Sequence, residues 1–333
     1  MTSNDSFDCN LEVVWLEITH QCNLRCIHCY EGNFHNKEEN TLSLEQWKRV
    51  VCELVQHNVR RIIIIGGEPC CSSDLKDILL FTSNFHIDIT VFTNATVMTK
   101  ELLETIIATK ARVKVSIYGH NATVHDLITT VPGSFEKLCK NVDCLLKHSV
   151  EVSASVVIMK ENQDYIEDIL GFVNKMGMRC SRCDIIRNVY NGTQSRHFPD
   201  HQKAMEKAFV TKPNFHTSKK AFIHNSLNNS CWYGKLVVAS NGDIFPCEFE
   251  RNITYGNILE SPFDMILSSS VLKKCWCWNF SNVEHCADCE FRFACKDCRP
   301  LGLSLSNDLH TKNPRCLYNP HTGIWESVSS IVS

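Results

Sequence analysis

The stretch VVWLEITHQCNLRCIHC, residues 13–29, decides how this chain is to be read. It opens as an apolar, strand-like run and ends in three cysteines, Cys22, Cys26 and Cys29, spaced C-x3-C-x2-C. Three thiolates this close neither complete a tetrahedral site nor pair off as disulfides. They can ligate three irons of a [4Fe–4S] cube and leave the fourth iron open, since a fully ligated cube takes four cysteines. A zinc site that draws its fourth ligand from His20 or His28 is the competing use of the same residues.

Downstream, the isoleucine run at 62–65 ends in Gly66-Gly67-Glu68-Pro69. The cysteine triad followed by this tetrapeptide resembles the radical S-adenosylmethionine (SAM) superfamily. The resemblance implies that the open iron binds the amino and carboxylate groups of SAM and that reductive cleavage yields a 5′-deoxyadenosyl radical. That chemistry belongs to the cofactor, and the protein positions it. Paired glycines let backbone approach a ligand closely, so Gly66 and Gly67 are expected to offer carbonyls to the SAM ammonium. Glu68 would supply charge beside them, and Pro69 completes the motif. By the same resemblance Asn94 and Ser116 lie near the methionine and ribose portions of SAM. His28 stands where the family often has an aromatic near the adenine.

Bulk properties narrow the class. With 333 residues, 44% hydrophobic and 21% charged, the chain reads as a soluble globular protein. A net charge of −3 and the lack of any basic run argue against nucleic acid. The longest purely apolar stretch, 62–65, is far too short to span a membrane. The N-terminal MTSNDSFDCN has neither the basic nor the apolar region of a secretory signal. Twenty cysteines without such a signal point to metal rather than disulfides, in a reducing cytoplasm.

Apolar or β-branched runs at 13–19, 61–65, 87–92, 112–117, 151–158 and 181–186 alternate with helical patterns at 44–55, 73–81, 99–108, 134–147 and 165–176. The first helical pattern carries Leu44, Trp47, Val50, Val51, Leu54 and Val55 on one face. Ser43 and Gln46 read as its capping box. Repeated β–α units predict an α/β fold with a parallel sheet. The resemblance implies a partial (β/α)6 TIM-like barrel, and barrels gather their sites at the C-terminal ends of the strands. The cysteine triad follows the first strand, Gly66-Gly67 ends the second, Thr93-Asn94 the third, and Ser116 to Gly119 the fourth. The segment IYGHNATVHDLITTVPGSF, 117–135, resembles barrel segments of radical SAM enzymes that modify ribosomally made peptides. Within it Tyr118 and His120 are candidates to face substrate, and Ser134 is expected to cap the next helix.

After about residue 215 strands shorten and cysteines crowd in. The expected organisation is an N-terminal extension at 1–12, a barrel at 13–215 and a small Cys-rich domain at 216–333, with 188–202 as the best linker. Cys231-x10-Gly242-x4-Cys247 is followed by Cys286-x2-Cys289-x5-Cys295-x2-Cys298 and then Cys316. This series resembles the SPASM extension of radical SAM enzymes, apart from an interval of two where the family usually has three. The resemblance implies two auxiliary clusters, one on Cys286, Cys289, Cys295 and Cys316, the other on Cys231, Cys247 and Cys298. Many relatives carry a further cysteine before the position of Cys231. Here 222–226 has none, so the second cluster is expected to keep an open iron or to take a ligand such as His224, with Cys275 or Cys277 as the alternative. An open iron can grip a substrate thiolate. Of the remaining cysteines, Cys52, Cys139 and Cys144 read as small hydrophobes, Cys70 and Cys71 as packing, and Cys183 as a candidate hydrogen donor reaching the cavity from the last strand.

Taken together, the resemblance implies a peptide-modifying radical SAM enzyme with three [4Fe–4S] clusters and SAM as cofactors. The outcome on a precursor peptide could be a thioether or carbon–carbon crosslink, an epimerised residue or a backbone excision. Oxidation of a Ser or Cys of a partner enzyme, as sulfatase-maturing relatives perform, is a second reading. An iron–sulfur electron-transfer or scaffold protein is a third. The expected partners are the precursor peptide, an external electron donor of flavodoxin or ferredoxin type and, since only about a dozen residues precede the first strand, a separate leader-binding protein. The open barrel edge or the C-terminal domain could take that last role instead.

Overall fold

Valine and isoleucine runs too short for helices make the sheet, because β-branched side chains pack well on a pleated surface. In the computed structural model, which describes residues 11–30, 32, 41–180, 183–187, 196–200, 203, 217–306, 308–313 and 316–325, five such runs are strands. They are β1 (Val13–Glu17), β2 (Arg61–Ile65), β3 (Asp88–Thr93), β4 (Arg112–Ile117) and β5 (Val152–Ile158), followed by a short β6 (Asp184–Ile185). All six pair in parallel and lie side by side in chain order, β6-β5-β4-β3-β2-β1. The register sets Val14 beside Ile62, Ile62 beside Ile89, and Val91 beside Val113. Successive strand side chains point to opposite faces. In β4, Val113, Val115 and Ile117 enter the main core, while Ser116 faces the other way into a pocket.

Six helices cover these strands: α1 (Leu44–Gln56), α2 (Leu75–Thr82), α3 (Lys100–Thr109), α4 (Ala122–Thr129), α5 (Ser134–Lys147) and α6 (Ile166–Lys175). The expected capping box opens α1, with Ser43 Oγ accepting from the Gln46 N–H and Gln46 Oε1 from the Ser43 N–H at 2.8 Å. Trp47, Val50, Val51 and Leu54 form its buried face. Helix α4 was not expected. It lies between the fourth apolar run and the helical pattern at 134–147, capped by Asn121 Oδ1, which accepts from the Val124 N–H at 3.0 Å. Ser134 does not cap α5 either. Gly133 holds that position at φ +80°, and the Asp126 carboxylate accepts from the Gly133 N–H (2.7 Å), the Phe135 N–H (2.8 Å) and the Ser134 hydroxyl (2.7 Å). A carboxylate returning from α4 brings two oxygens to the helix start, where a serine brings one. The first strand ends at Glu17 rather than 19. Ser181, Arg182 and most of the 188–202 linker lie outside the described residues.

The C-terminal segment makes a hairpin, β7 (Lys235–Val238) and β8 (Asp243–Phe245), joined through Gly242 at φ +89°. It does not make a separate sheet. β7 pairs in parallel with β1, and with β9 (Gly256–Asn257) the sheet reaches nine strands. Two side-chain contacts reinforce this seam. Arg251 Nη2 meets Glu17 Oε1 at 2.7 Å with both side chains buried, and His20 Nε2 lies 2.7 Å from Ser240 Oγ. Removing one partner of such a buried ion pair costs about 3–5 kcal/mol. Leu11, assigned to an extension from the sequence, is fully buried in the main core. Among the described residues no helix is long and apolar enough to cross a membrane.

Candidate active site and cysteine groups

The exits of β1 to β4 enclose a pocket of about 130 Å³ lined by Cys22, Cys26, Cys29 and His28, by Gly66, Gly67 and Glu68, and by Asn94, Ser116 and Tyr118. Residues separated by nearly a hundred positions meet there because parallel strands bring all their C-terminal ends to one side. Pro69 stays outside, buried at the start of the short helical turn Pro69–Cys71.

The paired glycines turn out to serve the backbone. A Cβ on Gly67 would sit 2.5 Å from the Gln21 carbonyl oxygen and 2.7 Å from that of His20. One on Gly66, itself at φ +153°, would sit 2.5 Å from the Thr19 oxygen. The same approach makes two hydrogen bonds, Gly67 N–H to Thr19 O at 2.8 Å and Glu68 N–H to Gln21 O at 2.7 Å. The exit of β2 is thereby clamped to the segment that leads into Cys22. The Gly66 carbonyl also accepts from the Tyr30 hydroxyl at 3.3 Å.

Glu68 and Asn94 are held by the protein itself. The buried Glu68 carboxylate accepts from the Thr93 hydroxyl (2.6 Å), the Asn94 N–H (2.6 Å) and the Cys70 N–H (3.0 Å). Burial pushes its carboxyl above the usual range, and these donors pull the other way. Asn94 Nδ2 donates to Asn23 Oδ1 at 3.0 Å, and its Oδ1 accepts from the Thr96 N–H at 2.8 Å. His28 packs edge-on against Tyr118, ring centroids 4.6 Å apart. Burial lowers its pKa to about 4, so the ring is neutral at pH 7, and its Nδ1 lacks a hydrogen-bond partner. Tyr118, pushed well above the usual phenol range by burial and then by Cys26, bonds Ser116.

The triad thiols feel one another. Burial pushes Cys22 up to about 12, the Leu24 N–H counteracts, and Glu68 and Cys29 add to the rise. Cys26 is raised further by burial and then by Cys29 and Cys22. Without a cation these thiols stay protonated, and bound irons would displace the protons.

The C-terminal cysteines fall into two neighbourhoods. Cys286 is raised to about 12 by burial and then by Cys316 and Cys289. Cys295 reaches about 12 through burial, Cys316, Cys289 and Cys286. Separately, Cys231 rises to about 12 through burial and then Cys298, and Cys247 rises through burial, Glu248, Cys231 and then Cys298. Of the alternative ligands, Cys275 is buried beside Tyr255, which Cys247 also acts on, Cys277 is exposed, and His224 rests edge-on against Tyr233 at 4.9 Å.

Among the described residues, no three Cys, His, Asp or Glu side chains converge as one shared ion requires. A cube that bonds each thiolate through its own iron needs a wider spacing. Buried donors without partners, Arg187 Nε and Arg292 Nε, accompany the two C-terminal groups, Arg187 next to Cys298 and Arg292 near Cys289. An anionic iron–sulfur group fits beside such donors.

Cys183 is not brought to the pocket. It belongs to the helix-facing core, its thiol against Cys180 and close to Glu167 of α6. The strand end supplies a different residue, Arg187, which sequence reading passed over. It directly follows the last apolar run, the strand-end position where barrels place functional side chains.

The radical SAM superfamily model matches residues 16–173, and the SPASM iron–sulfur cluster-binding domain matches 231–299. AlbA of Bacillus subtilis, the antilisterial bacteriocin subtilosin biosynthesis protein, is 28% identical over 89% of this chain and 69% of its own length. The AdoMet-dependent heme synthase of Methanosarcina barkeri is 24% identical over 92% of this chain and 96% of its own. Among solved structures, Streptococcus suis SuiB bound to S-adenosylmethionine aligns at TM-score 0.73 and 17% identity, covering 92% of this chain and 76% of that one. Its likeness concerns the fold. Motifs, parallel sheet and family matches agree: the chain belongs to the radical SAM superfamily, in the subgroup that carries a SPASM iron–sulfur cluster-binding domain.

Proposed function

We propose that this protein modifies a residue of a ribosomally made precursor peptide by hydrogen abstraction. The supporting observation is the similarity to AlbA, a bacteriocin biosynthesis protein, which runs through both the barrel and the Cys-rich segment over 89% of the chain. In this reading Cys22, Cys26 and Cys29 hold the SAM-binding [4Fe–4S] cluster. Cys286, Cys289, Cys295 and Cys316 hold one auxiliary cluster, and Cys231, Cys247 and Cys298 a second with an iron left for a non-cysteine ligand. When bound and reduced by an external electron donor, cluster and SAM would supply the hydrogen-abstracting radical chemistry, with 5′-deoxyadenosine as its by-product.

The protein's own part is positioning. Gly66 and Gly67 hold the loop that carries Cys22, and Glu68 ties the β2 exit to Asn94. Neutral His28, on Tyr118, gives the pocket an uncharged wall, and Ser116 orients the Tyr118 hydroxyl.

The test is anaerobic incubation of the reduced enzyme with SAM and a precursor peptide encoded beside its gene. Deoxyadenosine release and a mass change confined to the peptide are expected, both lost when Cys22, Cys26 and Cys29 are replaced by Ala. Deoxyadenosine release at the parental rate from that variant would refute the assignment. The heme synthase similarity supports a second reading, a tetrapyrrole substrate. Conversion of an iron porphyrin with no change in any peptide would favour it.

A further inference from the structure

Arg187 follows β6 at the barrel mouth, its side chain only 7% exposed. Nη2 donates to Asp184 Oδ2 at 2.8 Å and Nη1 to the Ile185 carbonyl at 3.2 Å. The guanidinium lies 4.5 Å over the ring of Phe249, two residues beyond Cys247. Its Nε–H has no hydrogen-bond partner, and Cys298 is a close electrostatic neighbour of the guanidinium. Phe249 in turn contacts Tyr30, the neighbour of Cys29, at 5.8 Å between centroids. A desolvated cation with a spare donor is therefore placed between the barrel site and the group of Cys231, Cys247 and Cys298.

Other charges act on that group. Lys235 adds positive charge, and Glu248 and Asp297 add negative. Asp297 is already bonded by the Arg299 guanidinium at 2.7 Å. Arg187 differs from Lys235 in being fixed in place by its own ion pair and an aromatic ring.

We propose that Arg187 is a positioning residue that raises the reduction potential of the iron–sulfur cluster carried by Cys231, Cys247 and Cys298. The inference rests on the reading that these cysteines hold a cluster. One-electron reduction adds negative charge to the cluster, and hydrogen bonds to its sulfurs together with nearby positive charge favour the reduced form. Burial strengthens that effect, because little solvent screens it.

The experiment uses the full chain with Cys22, Cys26 and Cys29 replaced by Ala, so that only the auxiliary clusters report, and follows each by electron paramagnetic resonance in a redox titration. In Arg187→Gln the ratio of reduced to oxidised cluster at the parental midpoint falls by about tenfold, a shift of about 59 mV for one electron. The other auxiliary cluster keeps its midpoint. Arg187→Lys, which retains charge without the fork, falls less. An unchanged midpoint in Arg187→Gln, or an equal shift of both clusters, overturns the proposal. Should Arg187→Gln fail to assemble, Arg187→Lys decides instead. Losing the forked donor lowers the ratio at this cluster alone by about twofold, and no fall overturns the proposal. If the parent shows no cluster at this group, the ligand reading itself falls and takes the proposal with it. That outcome is distinct from an assembled cluster whose potential ignores Arg187.

Discussion

Replacing Gly67 with alanine separates two reasons for a glycine at that position. A glycine needed only to admit SAM would be dispensable in protein prepared without iron or SAM. The backbone geometry argues for a cost in that state too. The new Cβ would lie 2.5 Å from Gln21 O and 2.7 Å from His20 O, backbone atoms that cannot rotate away. Restoring ordinary van der Waals contact moves the 19–21 segment by roughly 0.9 Å. Such a movement stretches the Glu68 N–H to Gln21 O bond, now 2.7 Å, and the Gly67 N–H to Thr19 O bond, now 2.8 Å. Overpacking of this kind costs about 1–3 kcal/mol, and each hydrogen bond is worth about 0.5–1.5 kcal/mol net. The combined expectation, with both bonds lost, is about 2–6 kcal/mol. Urea unfolding of the iron-free chain, followed by far-ultraviolet circular dichroism, should show a lower midpoint at unchanged slope. Because the same displacement carries Cys22, iron at the triad should fall as well. A Gly67→Ala protein with the parental midpoint when iron-free, but no SAM binding once its iron is restored, would refute the packing argument and return the glycine to a purely ligand-facing role.

Asp126→Ala removes the cap of α5 and should cost about 1–2 kcal/mol. Against burial, the Ser134 hydroxyl and the Phe135 and Gly133 N–H groups hold the Asp126 carboxyl below its usual range. Its contribution is therefore complete above the ordinary carboxylate pKa and disappears as pH falls through the lower folded value, so the gap between parent and variant should narrow from pH 5 to pH 3 in thermal melts. Burial lowers the pKa of His125 from 6.5 to about 4. Between those values the unfolded chain binds the proton and the folded one does not, so stability is full above pH 6.5 and declines toward pH 4. His125→Phe should flatten that limb by at most about 3 kcal/mol in urea midpoints, and a limb of unchanged slope would count against the burial argument. Cys275→Ser and Cys277→Ser should keep the parental iron content after reconstitution. A loss of about four irons per chain in either would show that this cysteine closes the cluster near Cys231.

Much of this molecule was legible in the chain because it depends on near neighbours in sequence. The apolar face of α1 and its Ser43–Gln46 box are local patterns, and both folded as their spacing implied, whereas the Gly66 carbonyl, expected to face SAM, accepts from the Tyr30 hydroxyl. The division of the C-terminal cysteines into two groups was implied by the resemblance to the SPASM extension, and the raised thiols act on one another along that division. Other features required the tertiary structure, since they arise between segments far apart in the chain. Gly67 is glycine because of the carbonyls of residues 20 and 21, some forty-six positions away. Ser134 lost its cap to a carboxylate from a helix that no periodicity announced. Cys183, expected in the cavity, sits just before β6 in the main core with its thiol against Cys180. Arg187 meets Cys298 only once β7 has docked along β1 and carried the Cys-rich segment to the barrel mouth. Local spacing sets which groups a segment can offer. Only packing, through backbone clashes, burial and non-local charge, decides which of them face one another.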